Sequence, residues 1–73
     1  MPRLGVFSGS EVRTILEQNG FQFVRQKGSH MIMQRTTTSG TMTVPIPDHR
    51  EIRLGTLQSI IRQSGLPRDL FLK

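Results

Sequence analysis

The apolar residues in the first part of the chain are spaced as they would be on an amphipathic helix. Val12 and Leu16 stand about one helical turn apart. Ser8, with Glu11 three positions later, fits a capping box, which is a common start for a helix. A glycine follows at position 20, where a left-handed residue ends a helix at little cost. The pattern predicts a helix over residues 9–19.

Three shorter segments, at residues 21–26, 30–36 and 41–46, have the composition of β-strands. Short turns join them, so an antiparallel meander is the expected arrangement. Proline has no backbone N–H to donate to a sheet, and we expect Pro45 and Pro47 to stop the third strand. Side chains of the second strand alternate between the two faces, with His30, Ile32 and Gln34 on one face and Met31, Met33 and Arg35 on the other.

Helical spacing returns near the end of the chain in Leu57, Ile60 and Ile61. Thr56 is placed to cap this second helix, and Gly65 is placed to end it. The order helix, three strands, helix predicts an α+β fold in which both helices cover one face of a three-stranded antiparallel sheet. This layout is similar to that of double-stranded-RNA-binding domains, and it leaves the other sheet face open.

The chain is short enough for us to expect one domain over residues 1–73. We interpret residues 1–7 as a lead-in arm and residues 67–73 as a short C-terminal segment. Pro67 suits the start of one more helical turn in that segment, because its fixed φ is already helical.

Composition narrows the classes of partner. Ten Lys and Arg against five Asp and Glu give a formal net charge of +5, which favours a polyanion such as nucleic acid or an acidic protein. The chain has no cysteine and no cluster of histidines and carboxylates at metal-ligand spacing, so we expect neither a metal nor another cofactor. No segment has the pattern of a signal peptide or a bilayer span, and we expect a cytoplasmic protein without membrane contact.

His30 is the first candidate for chemistry. An RNA strand breaks when its own 2′-hydroxyl attacks the adjacent phosphate, and a histidine with an ordinary pKa of about 6.5 is suited to move the protons. If Met31 and Met33 face the helices, His30 points to the open sheet face. The alternative from the residues alone is a surface histidine beside a hairpin turn.

The residues before His30 carry charge and turn chemistry. Arg25 and Lys27 are near enough in sequence to contact a phosphate, or they are simply solvated charges of a hairpin. Gly28 would let an RNA backbone approach closely, and the hydroxyl or amide of Ser29 could bond a phosphate oxygen. We therefore name Arg25, Lys27, Gly28 and Ser29 as candidate RNA-binding residues.

A second histidine, His49, lies in a loop made stiff by prolines. One interpretation makes it an RNA contact or a second acid-base group. The other makes it a loop residue that helps to place the second helix. We include it among the candidate RNA-binding residues.

Several short motifs occur together in a characteristic order and spacing over roughly residues 8–66. They are Gly20-Phe21, Val24-Arg25-Gln26-Lys27-Gly28-Ser29-His30, Val44-Pro45, Pro47-Asp48-His49, Gly55-Thr56-Leu57, Ile60-Ile61-Arg62-Gln63 and Gly65-Leu66. In this combination the chain resembles the HicA-type toxins, also known as the YcfA-like family of messenger-RNA interferases. Its departures from the common pattern lie around residues 46–49.

The resemblance implies a fold similar to double-stranded-RNA-binding domains, cleavage of RNA without a metal, and an antitoxin partner of the HicB type. It also implies that His30 is the residue needed for activity. A histidine often stands near position 49 in the family, but the loop spacing varies there, so the role of His49 stays open.

Two other functions are compatible with the charge and the layout. One is a module that holds RNA without cutting it, although the chain has no Trp or Tyr to form a stacking platform for bases. The other is a domain whose basic face serves only to bind an acidic antitoxin. Loss of RNA length on incubation with the protein distinguishes an enzyme from both.

Overall fold

The computed structural model describes residues 3–73 and confirms the predicted α+β fold. The elements, in chain order, are helix α1 (Gly9–Gln18), strands β1 (Gln22–Lys27), β2 (His30–Thr37) and β3 (Gly40–Pro47), helix α2 (Leu54–Ser64) and a short 3₁₀ helix (Arg68–Phe71). The strands form one antiparallel sheet in the order β1-β2-β3. Met1 and Pro2, which begin the predicted lead-in arm, lie outside the described residues.

Helix α1 begins with the capping box that its sequence predicts. The Ser8 hydroxyl accepts a hydrogen bond from the Glu11 N–H at 3.1 Å, and the Ser8 N–H donates to the Glu11 carboxylate at 2.9 Å. Both bonds satisfy N–H groups that have no partner within the helix. The same backbone bond, with the charge of Lys73 nearby, lowers the pKa of the Glu11 carboxyl from its ordinary value of about 4.5.

One face of the sheet is covered by both helices, and the core lies between them. Its members are buried residues from α1, the sheet, α2 and the flanking segments: Phe7, Val12, Leu16, Phe21, Met31, Met33, Val44, Ile46, Ile52, Leu57, Ile60 and Phe71. Met31 and Met33 are therefore on the covered face, as the alternation of β2 predicts. The uncovered face carries the remaining residues of that alternation, beginning with His30.

Strand β1 contains a β-bulge that the sequence pattern did not show. Phe23 pairs with Met33 and Arg25 pairs with Ile32, so the intervening Val24 has no partner on β2. Phe23 and Arg25 would share a face in a regular strand, but the bulge places them on opposite faces. As a result, Phe23 lies on the helix side, where Arg13 stacks on its ring at 4.2 Å, and Arg25 lies on the open side.

Two predicted element ends were wrong. Strand β3 continues through Pro45 to Pro47, because it is an edge strand and the two prolines, two positions apart, both turn their ring nitrogens away from β2. Helix α2 begins at Leu54, with Arg53 as its N-cap and no side-chain cap, so Thr56 does not cap it. Its end at Gly65, which has φ 69°, is as predicted.

The two ends of the described chain lie side by side. Leu4 forms a β-bridge with Leu72, and the Gly5 N–H donates to the Phe71 carbonyl at 2.8 Å. The predicted extra helical turn is present as the 3₁₀ helix, and it buries Phe71 edge-on against the Phe7 ring at a centroid distance of 6.2 Å. Phe7 and Phe71 belong to the core on the helix-covered face of the sheet, so this pairing does not contribute to the open face.

Candidate functional site

The open sheet face is ordered in rows, because Cα partners on neighbouring strands point their side chains the same way. One row at the end of the sheet consists of Lys27, His30 and Pro47. The next row consists of Arg25, Ile32 and Pro45. Each row thus brings together residues of β1 and β3 that are 20 positions apart in the sequence.

Four residues of these two rows line an open depression of about 420 Å³: Lys27, His30, Ile32 and Pro45. Ile32 is only 7% exposed although it is on the face that no helix covers. Its neighbours in the two rows shield it from water, and it forms an apolar floor with Pro45. The imidazole of His30 and the ammonium group of Lys27 stand beside this floor.

His30 is exposed at the first position of β2. Within residues 3–73 its ring makes no hydrogen bond and no ion pair with a protein group. Both ring nitrogens are therefore accessible to a ligand. The backbone of His30 is held by its place in the ladder between Lys27 and Pro47, so the direction of the side chain is set by the pleat.

Arg25 and Lys27 are both exposed on this face, two positions apart on β1. The ion pairs among the described residues are Arg13 with Glu17 and Lys73 with Glu11. Neither Arg25 nor Lys27 thus has a carboxylate partner within residues 3–73. Their positive charges are free to act on an anion at the depression.

The tight turn before His30 has a structural reason for its glycine. Gly28 has φ 58°, in the left-handed region that favours glycine, and a Cβ placed there would meet no atom within 4 Å. The Gln26 side-chain amide donates to the Gly28 carbonyl at 3.1 Å. On the other side, the Asp48 N–H donates to the Ser29 carbonyl at 2.7 Å. The turn is therefore tied to both neighbouring strands.

His49 lies just beyond the end of β3, two residues after the partner of His30. Its side chain is exposed, and its backbone carbonyl accepts a hydrogen bond from the Gly9 N–H at 2.8 Å. The backbone of His49 thus holds the start of α1 against the end of the sheet. The two histidines belong to the same end of the molecule, and no hydrogen bond joins their side chains.

Sequence reasoning missed the apolar floor and the anchor of the turn. Ile32 carried a usable signal, because it alternates in phase with His30. Pro45 carries no such signal, because a proline at this position predicts the end of a strand. The hydrogen bond from the Asp48 N–H to the Ser29 carbonyl depends on β3 extending to Pro47. The sequence does not predict this bond, because its prolines predict an earlier end of the strand.

In a comparison with protein families, residues 9–66 match the family described as HicA toxin of bacterial toxin-antitoxin. The chain belongs to the HicA toxin family. The matched region holds α1, the whole sheet and α2, and so it contains both rows of this HicA-family site. A comparison with curated proteins gave no match.

Within residues 3–73, no helix is both long and apolar enough to cross a membrane. In the same part of the chain, no three His, Cys, Asp or Glu side chains come together in a group that could hold a metal ion.

Proposed function

We propose that this HicA-family toxin is a ribonuclease that cleaves messenger RNA, with His30 as its catalytic residue. The observation that supports this most directly is the surrounding of His30. An exposed imidazole with unoccupied nitrogens stands next to Lys27, above an apolar floor, on the face that both helices leave open. A proton carrier beside a cation is a combination that accelerates cleavage of a phosphodiester.

The chemistry can be written with all atoms balanced. The 2′-oxygen of the ribose attacks the adjacent phosphorus, its proton passes to a base, and the bond from phosphorus to the 5′-oxygen breaks. The leaving 5′-oxygen takes up a proton, so the products are a 2′,3′-cyclic phosphate and a free 5′-hydroxyl. We assign one of these two proton transfers to His30.

Charge on the phosphate rises as the 2′-oxygen attacks. Lys27 lies directly across from His30, and Arg25 lies in the next row, so both cations are placed to stabilise that charge. Gly28 leaves the space above the turn open to the RNA backbone, and the exposed Ser29 hydroxyl provides a bond to a phosphate oxygen. His49, exposed at the same end of the sheet, serves as a further RNA contact.

We further propose that the partner is an antitoxin of the HicB type. Membership of a toxin family from toxin–antitoxin systems supports an antitoxin partner in general. An antitoxin that blocks cleavage has two routes on this surface: it covers the depression, or it neutralises Arg25 and Lys27 with carboxylates. Inhibition that weakens as salt is raised would indicate the second route, since exposed charges are screened.

The test is incubation of the purified full chain with messenger RNA in the presence of a chelator, beside the variant His30→Ala. We expect the wild-type protein to shorten the RNA and leave cyclic phosphate ends. In the variant the rate should fall roughly 100-fold to 10,000-fold, the usual contribution of an acid-base group. Its circular dichroism spectrum should be unchanged, because the side chain is exposed.

The matched control is His49→Ala, which removes the second exposed histidine from the same end of the sheet. As an RNA contact it should lower affinity but retain most of the maximal rate. A folded His30→Ala protein with full activity would refute the catalytic assignment. RNA that is bound but keeps its length would instead show a binding module.

A further inference from the structure

The open sheet face continues beyond the row of Arg25, Ile32 and Pro45, and there its side chains become polar and uncharged. Gln22, Gln34 and Thr43 form the third row, and Thr36 pairs with Thr41 in the row after it. Gln34, Thr36, Thr41 and Thr43 are two or four positions from Ile32 or Pro45 on their own strands, so they point to the same face. Gln22 shares that face because it is the partner of Gln34. No side chain in these two rows is charged.

A second depression, of about 230 Å³, lies in this region and is lined by Gly20, Gln22, Val24, Gln34 and Thr36. At about 30 Å³ for each molecule of liquid water, it has the volume of seven or eight waters. One planar nucleobase fits within this volume. The lining is mostly polar, in contrast to the apolar floor beside His30.

The two amides in this depression have no partners within residues 3–73, since no hydrogen bond involves the side chain of Gln22 or Gln34. The amides of Gln18, Gln58 and Gln63, on the helices, are likewise without a hydrogen bond among the described residues, whereas two other amides are bonded to backbone carbonyls. Asn19 donates to the Ile15 carbonyl at 2.7 Å, and Gln26 donates to the Gly28 carbonyl at 3.1 Å. A primary amide presents donors and acceptors in one plane, which is the pattern that base edges present.

The bulge on β1 contributes to the same depression. Val24 is the extra residue of the bulge, and it is 43% exposed in the lining. In a regular strand Val24 would be the partner of Ile32, but here Arg25 takes that place and Val24 is an additional side chain. Bulges often occur beside functional sites, where they redirect a side chain. Here the bulge adds an apolar contact for the flat surface of a base.

The separation from His30 is set by the strand. Gln34 stands four positions after His30 on β2, which is about 13 Å at the rise of a strand. A stacked nucleic-acid strand advances about 3.4 Å per nucleotide. The depression is thus a few nucleotides from the catalytic residue along one RNA strand.

We propose that Gln22 and Gln34, with Val24, form a subsite that recognises the base of one nucleotide a few positions from the cleaved phosphate. The inference rests on the proposed function, and it adds which residues determine sequence preference. One end of the open face then carries the cations and the proton carrier, and the other end carries the hydrogen bonds that discriminate between bases.

The experiment uses the full-length His30→Ala protein, which holds RNA without cutting it, and four RNA hexanucleotides, each of a single base. Fluorescence anisotropy gives the affinity for each. We expect one base to be preferred. Adding Gln34→Ala or Gln22→Ala should reduce the preference by about fivefold to 150-fold, the amount that a good base contact of 1–3 kcal/mol provides.

Three further variants separate the explanations. Gln34→Met keeps the length of the side chain without its hydrogen bonds, and it should lose the preference as Gln34→Ala does. Gln63→Ala, on the exposed side of α2, should keep it. Lys27→Ala should weaken all four RNAs equally, because a phosphate contact carries no base information.

Two results would overturn the inference while leaving the ribonuclease proposal intact. The first is that the wild-type protein cleaves RNA while the His30→Ala protein binds the four RNAs with equal affinity. The second is that the preference for one base remains in both glutamine variants. Wild-type protein that neither binds nor cleaves RNA would instead overturn the proposed function, and the inference would fall with it. In the wild-type background, Gln34→Ala should spread cleavage over more positions without lowering the maximal rate at each.

Discussion

Gly9, the first residue of α1, is packed against the end of the sheet so closely that it has no room for a side chain. A Cβ built on it would collide with the backbone carbonyl oxygen of Pro47 and would lie 3.2 Å from the terminal methyl of Met31. The methyl can move, but the carbonyl belongs to the last residue of β3. The Gly9 N–H also donates to the His49 carbonyl. The variant Gly9→Ala should therefore push the helix and the strand apart.

The size of the effect follows from three contributions. Overpacking of a close contact costs about 1–3 kcal/mol. Weakening the bond from Gly9 to His49 costs about 0.5–1.5 kcal/mol. Alanine favours a helix over glycine by up to about 1 kcal/mol, which offsets part of this cost. We expect a net loss of about 2 kcal/mol, or roughly 8–16 °C in Tm for a domain of this length.

Thermal unfolding followed by circular dichroism measures this loss. The matched control is Gly55→Ala, near the start of α2, where a Cβ would meet no atom within 4 Å and φ is not positive. It should raise Tm by a few degrees, because only the helix preference of about 0.5 kcal/mol remains. A Gly9→Ala protein as stable as the wild type would refute the packing argument.

Three further predictions concern capping, buried polarity and the turn. Because the Ser8 N–H lowers the pKa of Glu11, this carboxylate stabilises the fold above pH 4.5 and the stabilisation is lost as the pH falls further. The difference in urea unfolding between Glu11→Gln and the wild type should therefore shrink as the pH falls below 4.5. The buried Ser64 hydroxyl donates to one carbonyl and accepts from one N–H. Ser64→Ala should therefore lower the free energy of unfolding in urea by about 1–2 kcal/mol. The control Ser59→Ala should change that free energy by less than about 0.5 kcal/mol. Gly28→Ala should lower the free energy of unfolding by about 1–2 kcal/mol, because the backbone at this position is left-handed. Gly28→Asn should lower it less in the same urea unfolding measurement, and equal losses in the two variants would contradict a backbone cause.

Much of the fold was predictable because its signals are local. The capping box of α1 joins residues three positions apart, and the glycine that ends α2 acts through its own φ. The alternation along β2 placed Met31 in the core and His30 on the opposite face. Each of these features depends on residues within one turn or one strand, so the sequence pattern contains it.

Other features depend on which segments meet, and a local pattern does not contain that information. Pro45 belongs to β3 only because β3 is an edge strand, and its place in the sheet is a property of the whole topology. The bulge at Val24 arises from the register between β1 and β2. The capping signal at Thr56 was not followed, because α2 begins at Leu54 and its first backbone bond runs from the Leu57 N–H to the Arg53 carbonyl at 2.9 Å.

In the candidate site, too, some features depend on neighbours along the chain and others on which strands pair. The sequence by itself determined the hairpin that presents His30, with Lys27 and the Gly28 turn beside it, because these residues are neighbours along the chain. Only the tertiary structure decided that Ile32 and Pro45 form the floor beneath them, since cross-strand pairing brings together residues 13 positions apart. The separation of the open face into a charged end and an uncharged end has the same origin, because strand register sets which side chains share a row.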